Sequence, residues 1–344
     1  MTDFLIMPGG AAEHYFYRPY EGICMRSRKP DGLWNERVPV IERGRDNFAV
    51  YADKGGTVHL ICVNAENKLI YAVRKDNIWK KYVLSALNED ISVMQMQLYG
   101  VGSRLNLLYS AQYNGEILLI HCILGDHAKP STVDSLDSAH FYIMGENAYY
   151  TNAQGQLGRV SLADEKPVGF SKLYDDAHSC SVRNFGGREI MLFIRESKLF
   201  VNGEEILYDS RIEMPVCVTG SDGRMYIMWK SGSFVRYITS FNGGATWSEP
   251  MRFMSTGSRI SLYTAQRGGD FINCYGYHNS KELTLLARPD IFSTAADYVL
   301  PGKSELETLK AALESARREI ADTKAELSRL GKTLEGLRRP DKQL

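Results

Sequence analysis

Phe48-Ala-Val-Tyr51, Thr57-Val-His-Leu-Ile-Cys-Val63, Leu69-Ile-Tyr-Ala-Val73 and Trp79-Lys-Lys-Tyr-Val83 are four short runs in succession, parted by turns at Lys54-Gly55-Gly56, Asn67 and Asp76-Asn77. Each run is rich in β-branched and aromatic residues and is too short for an ordinary helix. Each is bounded by residues that favour turns, so each reads as a β-strand. Four strands in about 40 residues is the size of one blade of a β-propeller.

The same texture extends outward from residue 3 to about residue 290, with no long segment of 3.6-residue period inside it. A tryptophan follows the third turn in three units: Asp31-Gly-Leu-Trp34, Asp76-Asn-Ile-Trp79 and Gly244-Ala-Thr-Trp247. These tryptophans lie 45 and 168 residues apart, and the longer interval divides into four steps of 42, a mean period of about 43. Seven such units fill residues 2 to 300. The expected fold is therefore an all-β, seven-bladed β-propeller over residues 1–300, with six blades as the alternative. Further units are placed at Val93–Leu124, Phe141–Leu162, Ser181–Leu207, Met214–Phe253 and Ile260 to about Val299. Within the fifth, Asn202-Gly203 supplies the two positive-φ positions of a type I′ hairpin turn. In the last, Ile291-Phe292 stands where the period calls for Trp, and the first residues of the chain are an alternative completion of that blade.

Beyond Pro301-Gly302 the pattern changes. Ser304 is a candidate N-cap, followed by the heptad positions Leu306, Leu309, Leu313, Ala316, Ile320, Thr323, Leu327, Leu330, Leu334 and Leu337. A single helix cannot bury so narrow an apolar seam, so residues 304–339 are expected to form an α-helical coiled coil that makes the protein a homo-oligomer. The alternative is a helix folded back on its own propeller.

Lysine plus arginine and aspartate plus glutamate number 41 each, a formal net charge of zero that favours neither nucleic acid nor an anionic membrane as a partner. The N-terminus lacks a basic segment and a long apolar stretch, so a cytoplasmic protein is expected. The six cysteines (Cys24, Cys62, Cys122, Cys180, Cys217 and Cys274) are widely spaced without a CxxC pair. They read as small buried hydrophobes, with a disulfide framework as the alternative for an even count.

Ser240-Phe-Asn-Gly-Gly-Ala-Thr-Trp247 resembles the Asp-box of the sialidase-like propellers, whose pattern is Ser-x-Asp-x-Gly-x-Thr-Trp. Ser240, Gly244, Thr246 and Trp247 match, while Asn242 replaces the aspartate. In that family the motif is a structural hairpin remote from the catalytic face, with polar side chains bonding the turn backbone. The resemblance implies a fold and leaves activity open. An active sialidase would need three arginines, a Tyr–Glu pair and an acid/base Asp around the axis. The nearest counterpart to the family's Arg-Ile-Pro is Tyr17-Arg18-Pro19, which lacks the Ile.

The seven histidines show no paired metal spacing, His59 and His121 sit inside strands, and no GxSxG or P-loop is present. No catalytic residue, metal or cofactor is therefore expected. The expected function is a non-catalytic binding or scaffolding protein that presents propeller faces to a protein or glycan partner. The alternatives are a carbohydrate-binding, lectin-like propeller or a sialidase-type glycoside hydrolase. Trp34, Trp79 and Trp247 share a repeat position that suits packing between blades, whereas Trp229 breaks the repeat, so Arg18 and Trp229 are the candidate ligand-binding residues.

Overall fold

The computed structural model describes residues 2–287, apart from 9–10, 30–31, 126–128, 164–166, 168, 186–187, 221–222, 254–259, 268–269 and 280–281. Met1–Ser293 form one compact unit. The heptad segment 304–339, with its oligomerisation residues, and Ile291-Phe292 lie outside the described residues.

The described strands form successive antiparallel meanders. The first comprises β1 (Thr2–Ile6), β2 (Glu13–Arg18), β3 (Gly22–Ser27) and β4 (Val38–Ile41), and the second β5 (Gly44–Ala52), β6 (Val58–Asn64), β7 (Lys68–Lys75) and β8 (Ile78–Ala86). The third runs through β9 (Ser92–Val101), β10 (Arg104–Tyr113), β11 (Glu116–Ile123) and β12 (Ser131–Met144), and the fourth continues with β13 (Asn147–Asn152), β14 (Leu157–Ser161) and β15 (Ser171–Tyr174). Next come β16 (His178–Phe185), β17 (Arg188–Arg195), β18 (Lys198–Val201) and β19 (Glu204–Tyr208), then β20 (Ile212–Thr219), β21 (Met225–Ser231), β22 (Phe234–Ser240) and β23 (Met251–Arg252). The last meander shows β24 (Ser261–Arg267), β25 (Asp270–His278) and β26 (Leu283–Leu285).

β12 serves two meanders. Its first half pairs with β11 (Ile117↔Leu136), its second half pairs with β13 (Phe141↔Tyr150), and the register breaks between Leu136 and Phe141. Closure comes at the chain's start, where β1 lies parallel to β24 (Thr2↔Leu262 to Leu5↔Ala265) and antiparallel to β2. The first residues thus begin the first meander as its inner strand instead of completing the outer edge of the last. An inner position suits Asp3-Phe-Leu-Ile6, since these residues are buried and an outer edge would leave them in water.

Amide side chains tie adjacent inner strands together. Asn47 Nδ2 donates to the Val93 carbonyl at 2.6 Å and Gln95 Nε2 to the Phe141 carbonyl at 2.8 Å, two staples with the same spacing of 46 residues. Apolar side chains fill the spaces between sheets: Trp34 packs with Leu5, Tyr263 and Leu285, Trp79 with the cluster around Tyr15 and Ile70, and Trp247 with that around Leu199 and Ile227. All six cysteines are free and buried, and burial is the main cause pushing the thiols of Cys62, Cys180 and Cys217 up to about 12.

Two turns illustrate the local chemistry. Asn202 and Gly203 have φ of 50° and 90°, the pair of positive values a type I′ turn requires. At 240–247, Ser240 Oγ donates to Asn242 Oδ1 (2.9 Å) and accepts from Gly244 N (2.8 Å), while Asn242 Oδ1 also accepts from Thr246 N (3.0 Å). Asn242 Nδ2 donates to Thr246 Oγ1 at 2.9 Å, so the amide does what a carboxylate would do and adds a donor.

Candidate functional site

Where the last meander meets the first, the surface opens into a pocket of about 440 Å³ lined by Phe16, Arg18, Glu21, Arg26, Asn35, Glu36, Arg37, His278 and Asn279. Strand alternation builds one wall, because the two-residue period places His14, Phe16 and Arg18 of β2 on one face. β3 sets Arg26 directly across from His14. The turn between β25 and β26 supplies the opposite wall with His278 and Asn279.

Arg26 is the centre of this seam. Its guanidinium lies 4.9 Å from the Trp34 ring centroid and 5.8 Å from that of Phe16. Its Nη1 donates to the Asn279 carbonyl at 2.7 Å and Nη2 to that of Glu282 at 3.4 Å, tying the first meander to the last. Its Nε donates to His14 Nδ1 at 3.1 Å, which leaves the His14 proton on Nε2, facing Asp3 Oδ2 at 3.1 Å. The neutral imidazole thereby relays between a buried cation and a buried carboxylate. Burial holds His14 well below the usual histidine range and, being stronger than the attraction of His278, pushes Asp3 up to about 6. Tyr263 Oη lies 2.7 Å from His278 Nδ1, and burial takes that imidazole down to about 4.

Asp3, His14 and His278 gather their ligand atoms within 4.8 Å, close enough to invite a cation. The hydrogen bonds argue otherwise: His14 Nε2 is protonated toward Asp3, and the Arg26 guanidinium stands directly behind the ring. A metal would have to displace that proton beside a fixed positive charge, so the trio is better understood as a buried polar network that holds the ring closed.

The pocket's outer rim is solvated. Arg37 grips Glu21 through two 2.8 Å hydrogen bonds, which hold the Glu21 carboxyl below the usual range. Arg18 lies 5.8 Å over the Phe16 ring, and among the described residues its guanidinium makes no hydrogen bond or ion pair. Forked donors, carboxylate acceptors and an aromatic wall converge on one cavity, a combination that suits a polyhydroxylated ligand.

The structure separates the two ligand-binding candidates. Arg18 lines this seam pocket. Trp229 is 0% exposed, packs among Leu199, Ile227 and Ile238, and donates its Nε1–H to Asp209 at 3.0 Å. It is a core residue with no face for a ligand, a correction to the sequence reading. His121 is a satisfied core histidine, its Nε2 3.2 Å from Asn106 Oδ1. A separate cavity of about 150 Å³ is lined by residues of β1, β5, β9, β12, β24 and β25, among them Thr2, Asn47, Gln97, His140, Thr264 and Asn273, and no arginine among the described residues lines it.

No protein-family profile and no curated protein matches the chain. Solved structures do. The BP39L lectin from Burkholderia pseudomallei superposes with a TM-score of 0.58 at 8% identity, over 83% of this chain and 96% of that one. The Aleuria aurantia lectin in complex with alpha-methyl-L-fucoside superposes with a TM-score of 0.45 at 12% identity, over 83% of this chain and 90% of that one. The chain is a β-propeller. At such identities the likeness speaks to the course of the backbone, and what the propeller binds has to be argued from its own side chains.

Proposed function

We propose that this propeller binds carbohydrate, and that the seam pocket between its first and last meanders is the saccharide site. The observation that carries the reading is the convergence of Arg18, Glu21, Glu36, Arg37 and His278 around the Phe16 wall, over an Arg26 already locked by Trp34 and the opposite backbone. Sugars present several hydroxyls, each both donor and acceptor, and such a rim can meet both roles while the locked layer beneath keeps it rigid. This favours a lectin-like propeller over a protein scaffold, the other reading of the sequence. In the full reading the meanders count as seven blades, and residues 304–339 join copies into an oligomer whose repeated pockets turn weak single-site affinity into avidity.

Screening the full-length protein on a glycan array, followed by calorimetry on the strongest binders, tests this. Arg18→Ala and Glu36→Ala alter exposed rim residues and are expected to weaken saccharide binding about tenfold without loss of fold. An array without signal above control would overturn the saccharide reading. A solution mass unchanged in a chain ending at Gly302 would overturn the assembly.

A further inference from the structure

The pocket's lip holds a residue that neither packing nor backbone chemistry explains. Arg18-Pro19-Tyr20-Glu21 is a tight turn closed by a hydrogen bond from Glu21 N to the Arg18 carbonyl at 3.2 Å, with Pro19 and Tyr20 at its centre. Tyr20 has φ of 70°, so the turn is of the kind that takes glycine at this position, and a bulky side chain there is strained. Its side chain is nevertheless wholly exposed, the most exposed large hydrophobic residue described. Thus an aromatic ring is held in water, in an unfavourable backbone conformation, without a hydrogen bond or ring contact among the described residues. The first and last residues of the turn, Arg18 and Glu21, both line the pocket. Strain of this sort collects at ligand contacts, where the ligand repays it.

We infer that Tyr20 is a second contact point for the bound glycan, stacking on the sugar unit next to the one seated in the pocket, so that the site takes an oligosaccharide and not a lone monosaccharide. This rests on the saccharide reading of the pocket and extends it outward. The rigid turn suits the task, because proline fixes one side of it and the ring loses only two side-chain rotations on binding.

The test compares two probes on the full-length protein: the strongest oligosaccharide from the array and the methyl glycoside of its terminal sugar. Tyr20→Gly is expected to weaken the oligosaccharide roughly three- to tenfold, to leave the methyl glycoside unchanged, and to give a Tm no lower than wild type, since glycine suits the turn. Tyr20→Phe keeps the ring and is expected to keep the oligosaccharide affinity. Equal affinity of Tyr20→Gly and wild type for the oligosaccharide, or an equal loss for both probes, would overturn the inference while leaving the pocket as the saccharide site. A wild-type protein that binds no saccharide removes the site itself, and the contact with it.

Discussion

Arg74 Nη2 lies 2.7 and 2.8 Å from the two carboxylate oxygens of Glu13, across the seam between the first and second meanders, and both side chains are buried. The guanidinium rests 5.5 Å from the Trp79 ring, and Tyr15 donates to the same carboxylate at 2.7 Å. This repeats the Arg26 and Trp34 arrangement one seam along. The difference is that Glu13 closes this seam with a side chain, whereas across its own seam Arg26 meets only the backbone carbonyls of Asn279 and Glu282 and leaves space for a pocket. Glu13→Ala would strand a buried cation and is expected to cost about 3 kcal/mol in denaturant unfolding. The double variant Glu13→Ala, Arg74→Met is expected to recover part of that loss. Additive losses in the double-mutant cycle would refute the coupling.

Trp229 offers a separate test, because its burial predicts a stability effect with no binding effect. Trp229→Phe removes the donor to Asp209, a carboxylate that also accepts from Arg236 at 3.1 Å and from Arg211 N at 3.0 Å. The remaining partners keep Asp209 satisfied, so the expected cost is about 2 kcal/mol from lost volume and one hydrogen bond. Saccharide affinity should stay at the wild-type value. A loss of binding without a loss of stability would return Trp229 to the ligand site.

The turn at Asn242 discriminates its chemistry from that of the aspartate usual in the Asp-box pattern. Asn242→Ala removes an acceptor used twice and is expected to cost about 1 kcal/mol. Asn242→Asp keeps that acceptor, and the Thr246 hydroxyl can rotate to donate in place of accepting. Its Tm should therefore lie within about 2 °C of wild type. A collapse of the Asp variant comparable to the Ala variant would show that the Nδ2 contact dominates.

Local chemistry was the legible part of this protein. The 48–83 meander appears as β5 to β8, and Asn202-Gly203 makes the expected turn, because strand alternation and positive-φ turns are properties of neighbouring residues. The pocket was not legible as a whole. His14 and His278 meet only after the ring closes, and nothing local in β2 distinguishes His14 from any other inward-facing strand residue. One usable signal was present: Arg26 precedes Trp34, and Arg74 precedes Trp79, each near the end of a third strand. That pairing marks the guanidinium-on-tryptophan staple at both seams. Trp229 breaks the repeat and is nevertheless buried, because Met225-Tyr-Ile-Met-Trp229 is an almost continuous apolar run typical of a strand covered on both faces.

The histidines set the response to acid. Burial is the main cause that lowers His14, His59, His121, His140 and His278, with His121 and His278 brought to about 4. A histidine depressed in the folded state favours folding above its unfolded value near 6.5, and that contribution is lost as pH falls through the folded value. Asp3 has the opposite sign. Raised to about 6, it favours the folded state most below its ordinary value of 3.8, and its contribution is lost as pH rises through 6. Between pH 6.5 and 4 five histidines therefore act against one aspartate, and the Tm is expected to fall on acidification across that window. Asp3→Asn removes the opposing group and should steepen the fall, whereas His121→Gln removes one contributor and should flatten it. His278 stays neutral until about pH 4, so saccharide affinity should hold level from pH 8 to 6 even where stability has begun to decline. A Tm that rises from pH 6.5 to 4 would mean that these imidazoles are not buried as neutral groups.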